Sequence, residues 1–226
     1  MSLLSNFLDL LFPPKCPFCG RVQDAPGICG TCRKALPWTA GENALRLGPG
    51  GFRCAAPLRY EGLAKEGLHR FKFRRMPSAA APLGELIAQC AAEHFAGEFD
   101  TVTWVPVSQR RLRQRGYDQA RLLAESACRL WDTKPLPLLR KTVHNPPQSG
   151  LKDSAQRRAN VRGAYTIPDP AAVRGRRILL IDDICTTGAT LGECVRVLRE
   201  AGAADVVCAA VALTPLEKTA APAKNG

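Results

Sequence analysis

Residues 178–190 contain the feature that most constrains the fold of this chain. Four consecutive apolar residues (178–181) run into the adjacent carboxylates Asp182 and Asp183, and a turn of threonine, glycine and alanine follows at 186–190. A continuous apolar run is typical of a parallel strand that is buried on both faces. Small residues let backbone N–H groups approach a phosphate, and the start of a helix adds positive potential there. The segment therefore predicts a site for a ligand that carries a sugar and a phosphate.

The residues after this turn predict a βαβ unit. Apolar residues recur at helical spacing from Leu191 to Leu198, Gly202 is a suitable stop, and a second apolar run spans 205–213. Parallel strands joined by a helix place ligands at the carboxyl ends of the strands. We expect the acidic pair to accept ribose hydroxyls and the turn to hold the phosphate, with the alternative that the turn only caps the next helix. The phosphate residues are Thr186, Thr187, Gly188, Ala189 and Thr190.

Four cysteines near the start of the chain are spaced as metal ligands. They form two Cys-x-x-Cys pairs separated by nine residues, with glycines where the tight turns of a knuckle need a positive φ. This spacing predicts a structural zinc site, with disulfides and a redox pair as the alternatives. Residues 1–12 lack the basic segment and cleavage site of a signal peptide, so we expect a reducing, cytoplasmic setting that favours the metal. The expected ligands are Cys16, Cys19, Cys29 and Cys32.

Basic residues are clustered in this 226-residue chain, whose formal net charge is +12. The clusters lie at residues 69–75, 109–115 and 141–162. A solvated surface accounts for any one of them, whereas three near predicted strands and loops indicate an anionic partner, such as a ribose diphosphate or nucleic acid. The three tryptophans are far apart in the sequence and indicate no stacking platform for single-stranded nucleic acid. No apolar run is long enough for a membrane span.

Two further segments are predicted to contact the ligand. A strong strand at 101–107 leads into a basic loop that suits a diphosphate, and Asp118 is placed to cap the helix that follows. Residues 141–163 are long, with adjacent prolines and a glycine at 146–150, which predicts a lid over the site. The basic loop residues are Gln109, Arg110, Arg111, Arg113 and Arg115, and the lid residues are Gln148, Arg157, Arg158 and Asn160.

These segments together resemble a known family. Residues 178–190 look like the phosphoribosyl pyrophosphate (PRPP) signature of type I phosphoribosyltransferases. Residues 5–213 are similar to the ComF family of competence-associated proteins. The resemblance rests on the four-cysteine knuckle followed, in order, by Arg-Gly-Tyr-Asp-Gln-Ala, Pro-Pro-Gln-Ser-Gly-Leu and Arg-Arg-Ala-Asn-Val-Arg-Gly-Ala-Tyr. The resemblance implies that Asp182 and Asp183 contact the ribose hydroxyls, that the turn holds the 5-phosphate, and that Mg²⁺ accompanies PRPP.

The resemblance also implies an α/β fold: a type I phosphoribosyltransferase-like parallel sheet flanked by helices, with a small N-terminal double zinc ribbon. We expect an N-terminal segment at 1–48 with the zinc ribbon and a glycine- and proline-rich linker (residues 41–51). The phosphoribosyltransferase-like domain is expected at 52–214 and a disordered tail at 215–226. Two classes of function stay open. One is phosphoribosyl transfer to an unknown acceptor, linked to DNA uptake or nucleotide metabolism. The other is a module without catalysis that senses PRPP, or that binds single-stranded DNA or a DNA-uptake protein.

Overall fold

A mostly parallel sheet forms the centre of the chain in the computed structural model, which describes residues 13–73, 76–142 and 161–215. Its strands lie in the spatial order β1-β2-β8-β7-β4. Strand β3 pairs with the same side of β8 as β2 does, nearer the carboxyl end of β8. The β1–β2 pair is antiparallel and the other neighbouring pairs are parallel. The strands are β1 Leu45–Leu47, β2 Arg53–Ala55, β3 Leu58–Arg59, β4 Thr101–Trp104, β7 Arg177–Cys185 and β8 Asp205–Leu213, and a separate antiparallel pair is β5 Arg140–Lys141 with β6 Tyr165–Thr166.

Helices cover both faces of this sheet. Because successive strand residues point to opposite faces, Leu179 and Ile181 pack into one apolar cluster and Ile178 and Leu180 into another. Helices α2, α3 and α5 cover the first face, and α6 covers the second. None of the helices in the described residues is long and apolar enough to cross a membrane. The helices are α1 Gly30–Ala35, α2 Gly62–Phe73, α3 Ala80–His94, α4 Gln109–Arg115, α5 Gln119–Leu130 and α6 Ala189–Glu200.

The predicted βαβ unit is confirmed as β7, α6 and β8, and with it the α/β fold class. Strand β8 has the predicted bounds, whereas β7 continues beyond the apolar run to Cys185. The reason is that the parallel ladder persists, with Ile184 opposite Ala212 and Cys185 opposite Leu213. The acidic pair therefore lies within the strand, near its carboxyl end.

The prediction of a basic loop at 109–115 is wrong in its conformation, because these residues form α4. Arginine, glutamine and leucine are good helix formers, and both ends are capped. The Ser108 hydroxyl accepts from the Arg111 N–H, and Gly116 ends the helix with φ +85°. The helix follows β4 after a short extended segment, at the carboxyl end of that strand.

Part of the predicted linker belongs to the sheet. Strand β1 lies within residues 41–51, where the sequence indicated glycine- and proline-rich connecting chain. Pairing with β2 stabilises this short strand, which has little local signal of its own. The tail from residue 216 and the predicted lid residues Gln148, Arg157, Arg158 and Asn160 lie outside the described residues.

Candidate functional site

The two carboxylates of the signature strand face opposite sides of the sheet. Side chains alternate along β7 as far as Ile181, so Asp182 follows Ile178 and Leu180 on the α6 side. The ion pair with Lys72 of α2 places Asp183 on the opposite side. Asp182 Oδ1 accepts from the backbone N–H of Asp183 at 2.8 Å. The arrangement presents two separate carboxylates at the edge of the sheet where ligands of parallel folds bind.

Asp183 forms an ion pair with a residue that the sequence did not assign to the site. Lys72 Nζ, near the end of α2, lies 2.9 Å from Asp183 Oδ2, and the side chains are 23% and 10% exposed. An ion pair this shielded is stronger than a surface pair, and loss of one partner leaves the other charge poorly compensated. Lys72 was visible in sequence as one member of a basic cluster, but no local pattern joined it to Asp183.

Asp182 lies in an environment that disfavours its charge. Burial and the negative charge of Asp183 raise the pKa of Asp182 well above its usual range, against the opposing effect of Lys72. Lys141 Nζ donates to Tyr165 Oη at 3.1 Å on the same side of the sheet. Burial and the neighbouring Arg111 lower the pKa of Lys141, while the charge of Asp182 raises it. Burial therefore disfavours the charged forms of both Asp182 and Lys141 at this edge.

The turn predicted to hold the phosphate connects β7 to α6 through a glycine with a positive φ. Gly188 adopts φ +73° and precedes α6, whose twelve residues direct the positive end of the helix toward the turn. A side chain at Gly188 would also be obstructed, because its Cβ would lie 3.0 Å from Pro49 Cδ. The Ala189 N–H donates to Thr187 Oγ1 at 3.4 Å. The five residues predicted for the phosphate thus lie together at the end of β7 and the start of α6.

Strand β1 supports this turn from a distant part of the sequence. Arg46 donates to the carbonyl oxygen of Thr186 at 2.7 Å, and also to the carbonyl oxygens of Cys185 and Thr214. These carbonyl groups lie at the carboxyl ends of β7 and β8, so the guanidinium group of Arg46 links the ends of these two neighbouring strands. Arg46 could not be assigned from sequence because it lies in the presumed linker, and no spacing rule connects it to residue 186.

The predicted diphosphate residues are divided between the site and the surface. Arg111 is half-buried and close enough to Asp183 for their charges to interact; burial and the charge of Arg115 lower its pKa. Arg115 donates to Gln119 Oε1 at 2.8 Å. The structure therefore brings Arg111 toward the acidic pair, and it places Gln109, Arg110 and Arg113 on the exposed side of α4.

Asp118 has the capping position that the sequence predicts for it. Its carboxylate accepts from the backbone N–H groups of Arg121 at 3.2 Å and Val107 at 3.1 Å. Burial raises its pKa, although these hydrogen bonds act in the opposite direction. Asp118 thus links the start of α5 to the segment between β4 and α4, the helix that carries the predicted diphosphate arginines.

The four N-terminal cysteines form one group with the geometry of a zinc site. Their sulfur atoms all lie within 4.8 Å of one another, which fits a tetrahedron of thiolates around an ion about 2.3 Å from each sulfur. Cys29 Sγ accepts from the Cys32 N–H at 3.4 Å. Burial opposes ionisation of Cys16, but backbone N–H hydrogen bonds outweigh it and lower its pKa to about 7. Cys54 is buried in the sheet and is not part of this group.

Comparison with known proteins gives matches over both parts of the chain. A family model described as "Phosphoribosyl transferase domain" matches residues 112–225, and one described as "Double zinc ribbon domain" matches residues 7–66. The first match includes the signature strand and α6, and the second includes all four cysteines of the metal group. Together with the geometry, they support a structural zinc site.

Two curated relatives match most of the chain. "Competence protein ComFC" of Bacillus subtilis (strain 168) is 30% identical over 189 residues, with 84% of this chain and 73% of that protein covered. "DNA utilization protein YhgH" of Salmonella typhi is 28% identical over 201 residues, covering 84% and 80%. A solved phosphoribosylpyrophosphate synthetase from Mycobacterium smegmatis has a TM-score of 0.38 and 23% identity, covering 58% of this chain and 33% of that one.

Proposed function

Because the chain belongs to the ComF family of phosphoribosyltransferase-domain proteins with an N-terminal zinc ribbon, we propose that it binds PRPP or a related ribose-phosphate ligand with Mg²⁺ and serves DNA uptake or utilisation. One observation carries the ligand proposal. The signature strand carries two separated carboxylates near its carboxyl end and leads into a positive-φ glycine turn at the start of a twelve-residue helix. Hydroxyl acceptors and a candidate phosphate turn thus lie on one strand-turn-helix segment.

Each part of the ligand has a matching group in this arrangement. The 5-phosphate lies in the turn at 186–190, and the ribose hydroxyls donate to the carboxylates of β7. The diphosphate faces the cations Lys72 and Arg111, which already interact with Asp183. Mg²⁺ prefers carboxylate and phosphate oxygens, and Asp182 and Asp183 would hold it together with the ligand. When bound, the ion neutralises part of the diphosphate charge.

If turnover occurs, these residues act by electrostatics. Displacement of diphosphate at the ribose C1 atom by a nitrogen nucleophile breaks one C–O bond and forms one C–N bond, and negative charge grows on the leaving group. Fixed cations near that charge stabilise the transition state, and no side-chain nucleophile is needed. Binding without turnover uses the same contacts, so a ligand sensor stays within the proposal.

A calorimetric titration tests the ligand proposal. Wild type is titrated with PRPP in the presence of Mg²⁺, alongside Asp182→Asn and Asp183→Asn variants. We expect wild type to bind and each variant to bind at least about 10-fold more weakly, since each loses a charged acceptor. Absence of binding to wild type would overturn the proposal. Pyrophosphate release across a panel of nitrogen acceptors then separates an enzyme from a sensor.

A second candidate function, binding of single-stranded DNA, is favoured by a specific surface. Phe73 is 58% exposed at the end of α2, its ring lies 4.7 Å from that of His69, and the Arg115 guanidinium lies 5.2 Å from its centre. The exposed Arg110 and Arg113 are on the neighbouring helix α4. Aromatic rings among arginines are typical of surfaces on which unpaired bases stack. This patch contains no tryptophan, so the wide spacing of the tryptophans in the sequence does not bear on it.

Fluorescence anisotropy with a labelled oligonucleotide tests this second candidate. Neutralising Arg110 and Arg113 should weaken binding and reduce its salt dependence, and Phe73→Ala should weaken it by about 1–3 kcal/mol with little change in the salt slope. Phe99→Ala is the control, because Phe99 packs edge-on against Trp131 away from this patch. Unchanged affinity in both patch variants would exclude the surface.

A further inference from the structure

Helix α2 contacts both the zinc knuckle and the signature strand. Its buried residues are Ala64, Gly67, Leu68 and Phe71, and Lys72 follows directly. Gly67 and Lys72 are five residues apart, about 7.5 Å along the helix axis. A helix is stiff over this distance, so a contact that holds the backbone at Gly67 also restricts the position of the backbone at Lys72.

The knuckle holds α2 through a close backbone contact. A Cβ at Gly67 would lie 2.6 Å from Phe18 Cδ1, 3.0 Å from the Pro17 carbonyl oxygen and 3.1 Å from Phe18 Cα. Only a residue without a side chain permits this approach. Arg70, one turn later, donates to the Phe18 carbonyl oxygen. Phe18 lies between two of the metal-group cysteines and is fully buried.

The other contacts of α2 are with the ligand site. Lys72 pairs with Asp183, and Tyr117 donates through its hydroxyl to the Phe71 carbonyl oxygen. Tyr117 lies between the ends of α4 and α5, next to the capping residue Asp118. The same short stretch of α2 therefore touches the knuckle, the signature strand and the arginine-bearing segment.

We propose that the zinc knuckle positions Lys72 for ligand binding through its contacts with α2. When the ligand binds, Lys72 leaves Asp183 and contacts the diphosphate group. This proposal rests on the proposed function, in which the ligand carries a diphosphate. A lysine ammonium is a point charge on a flexible stem, so it can change acceptors without a backbone movement. Ribose hydroxyls then donate to Asp183 in its place, and the arriving diphosphate supplies the negative charge that Lys72 needs.

Ligand affinities of Lys72 variants test the first half of the proposal. Lys72→Ala should weaken PRPP binding about 10- to 100-fold, the range for a lost charged hydrogen bond. Affinity for ribose 5-phosphate, which has no diphosphate, should change less than about 3-fold. Lys72→Arg keeps the charge and should recover most of the PRPP affinity. Lys65→Ala, on the exposed side of the same helix, is the matched control and should bind as wild type does.

A glycine substitution tests the second half. Gly67→Ala must displace the knuckle backbone from α2, and we expect PRPP affinity to fall about 5-fold or more. Gly30→Ala is the control, since Gly30 begins α1 without the positive φ expected for the knuckle glycines, and a Cβ there meets nothing within 4 Å. Zinc content, measured by elemental analysis, should match that of wild type in both, because neither residue is a metal ligand. In a Lys72→Ala background, Gly67→Ala should have little further effect, because the knuckle acts through the lysine.

Each result has one interpretation. If wild type does not bind PRPP, the proposed function fails, whatever the variants do. If wild type binds and Lys72→Ala binds equally well, or loses PRPP and ribose 5-phosphate affinity to the same extent, the diphosphate role of Lys72 is overturned. If Gly67→Ala has no effect, or has its full effect without Lys72, the knuckle does not act through Lys72.

Discussion

At the scale of single residues, the candidate site is a group of charged side chains whose pKa values are shifted by their surroundings. Burial disfavours the charged forms of Asp182, Lys141 and Arg111. Such perturbed groups cluster at functional sites because the ligand supplies the missing charge and hydrogen bonds. Lys72 and Asp183 neutralise each other in a shielded ion pair.

Removal of the Asp182 charge should stabilise the ligand-free protein. Its pKa is raised by folding, so the stability of wild type falls as the pH rises from the unfolded value, about 3.9, toward the higher folded value. We expect Asp182→Asn to be about 0.5–2 kcal/mol more stable at pH 7.5 by urea unfolding, with the gap closing near pH 4.

Asp100→Asn provides a control of opposite sign. Burial of Asp100 is outweighed by hydrogen bonds from Thr101 and Arg177, which lower its pKa, so the folded state favours its charged form. This variant should be less stable than wild type at neutral pH. If Asp182→Asn were also less stable at pH 7.5, the account of an unfavourable charge at 182 would be wrong.

Arg46 should matter more than any other arginine of the first strands. Arg46→Met removes hydrogen bonds to three backbone carbonyls, and we expect a loss of about 1.5–3 kcal/mol in unfolding free energy and weaker PRPP binding. Arg59→Met is the comparison, because Arg59 forms an exposed pair with Glu61 that is worth at most about 1 kcal/mol. Equal effects of the two substitutions would contradict the supporting role of Arg46.

At the scale of elements, the turn between β7 and α6 depends on the hairpin that packs against it. Gly188 needs its positive φ, and Pro49 and Phe52 of the β1–β2 connection fill the space where a Cβ would lie. The hairpin also contacts Gly192 one turn into α6. The phosphate turn is therefore held by the segment that the sequence suggested was a linker.

Substitution of Gly188 tests this dependence. Gly188→Ala should cost about 1–2 kcal/mol for the left-handed backbone alone and should lower PRPP affinity, since Pro49 must also move. Chemical denaturation and calorimetry measure the two effects. Stability and affinity that match those of wild type would show that the turn does not need this conformation.

The elements that could be predicted from sequence are those with local signals. Strand β8 has a continuous apolar run and helix α6 has apolar residues at helical spacing, and their bounds match the prediction closely. The helix at 109–115 was mistaken for a loop because its charge density suggested ligand contact, although its caps at Ser108 and Gly116 were readable. Strand β1 is stabilised by pairing with β2, and a three-residue segment has no local sequence pattern that predicts such a pairing.

At the scale of the whole molecule, distant segments complete the site. The acidic pair, the turn and the four cysteines could all be singled out from sequence, because each is a compact motif. Lys72 and Arg46 were not assigned to it, since folding brings them from more than 100 residues away to Asp183 and Thr186. The zinc knuckle and the sheet are joined by α2 and by strand β1, so the N-terminal segment is part of the architecture of the site.

The most direct test of the central claim is the titration of the ligand-free protein with PRPP and Mg²⁺, followed by calorimetry. The account predicts saturable binding to one site per chain, tighter than that of ribose 5-phosphate, and a loss of at least about 10-fold in the Asp183→Asn variant. Failure of wild type to bind PRPP, or equal binding by the variant, would contradict the assignment of the signature strand as a ribose-phosphate site.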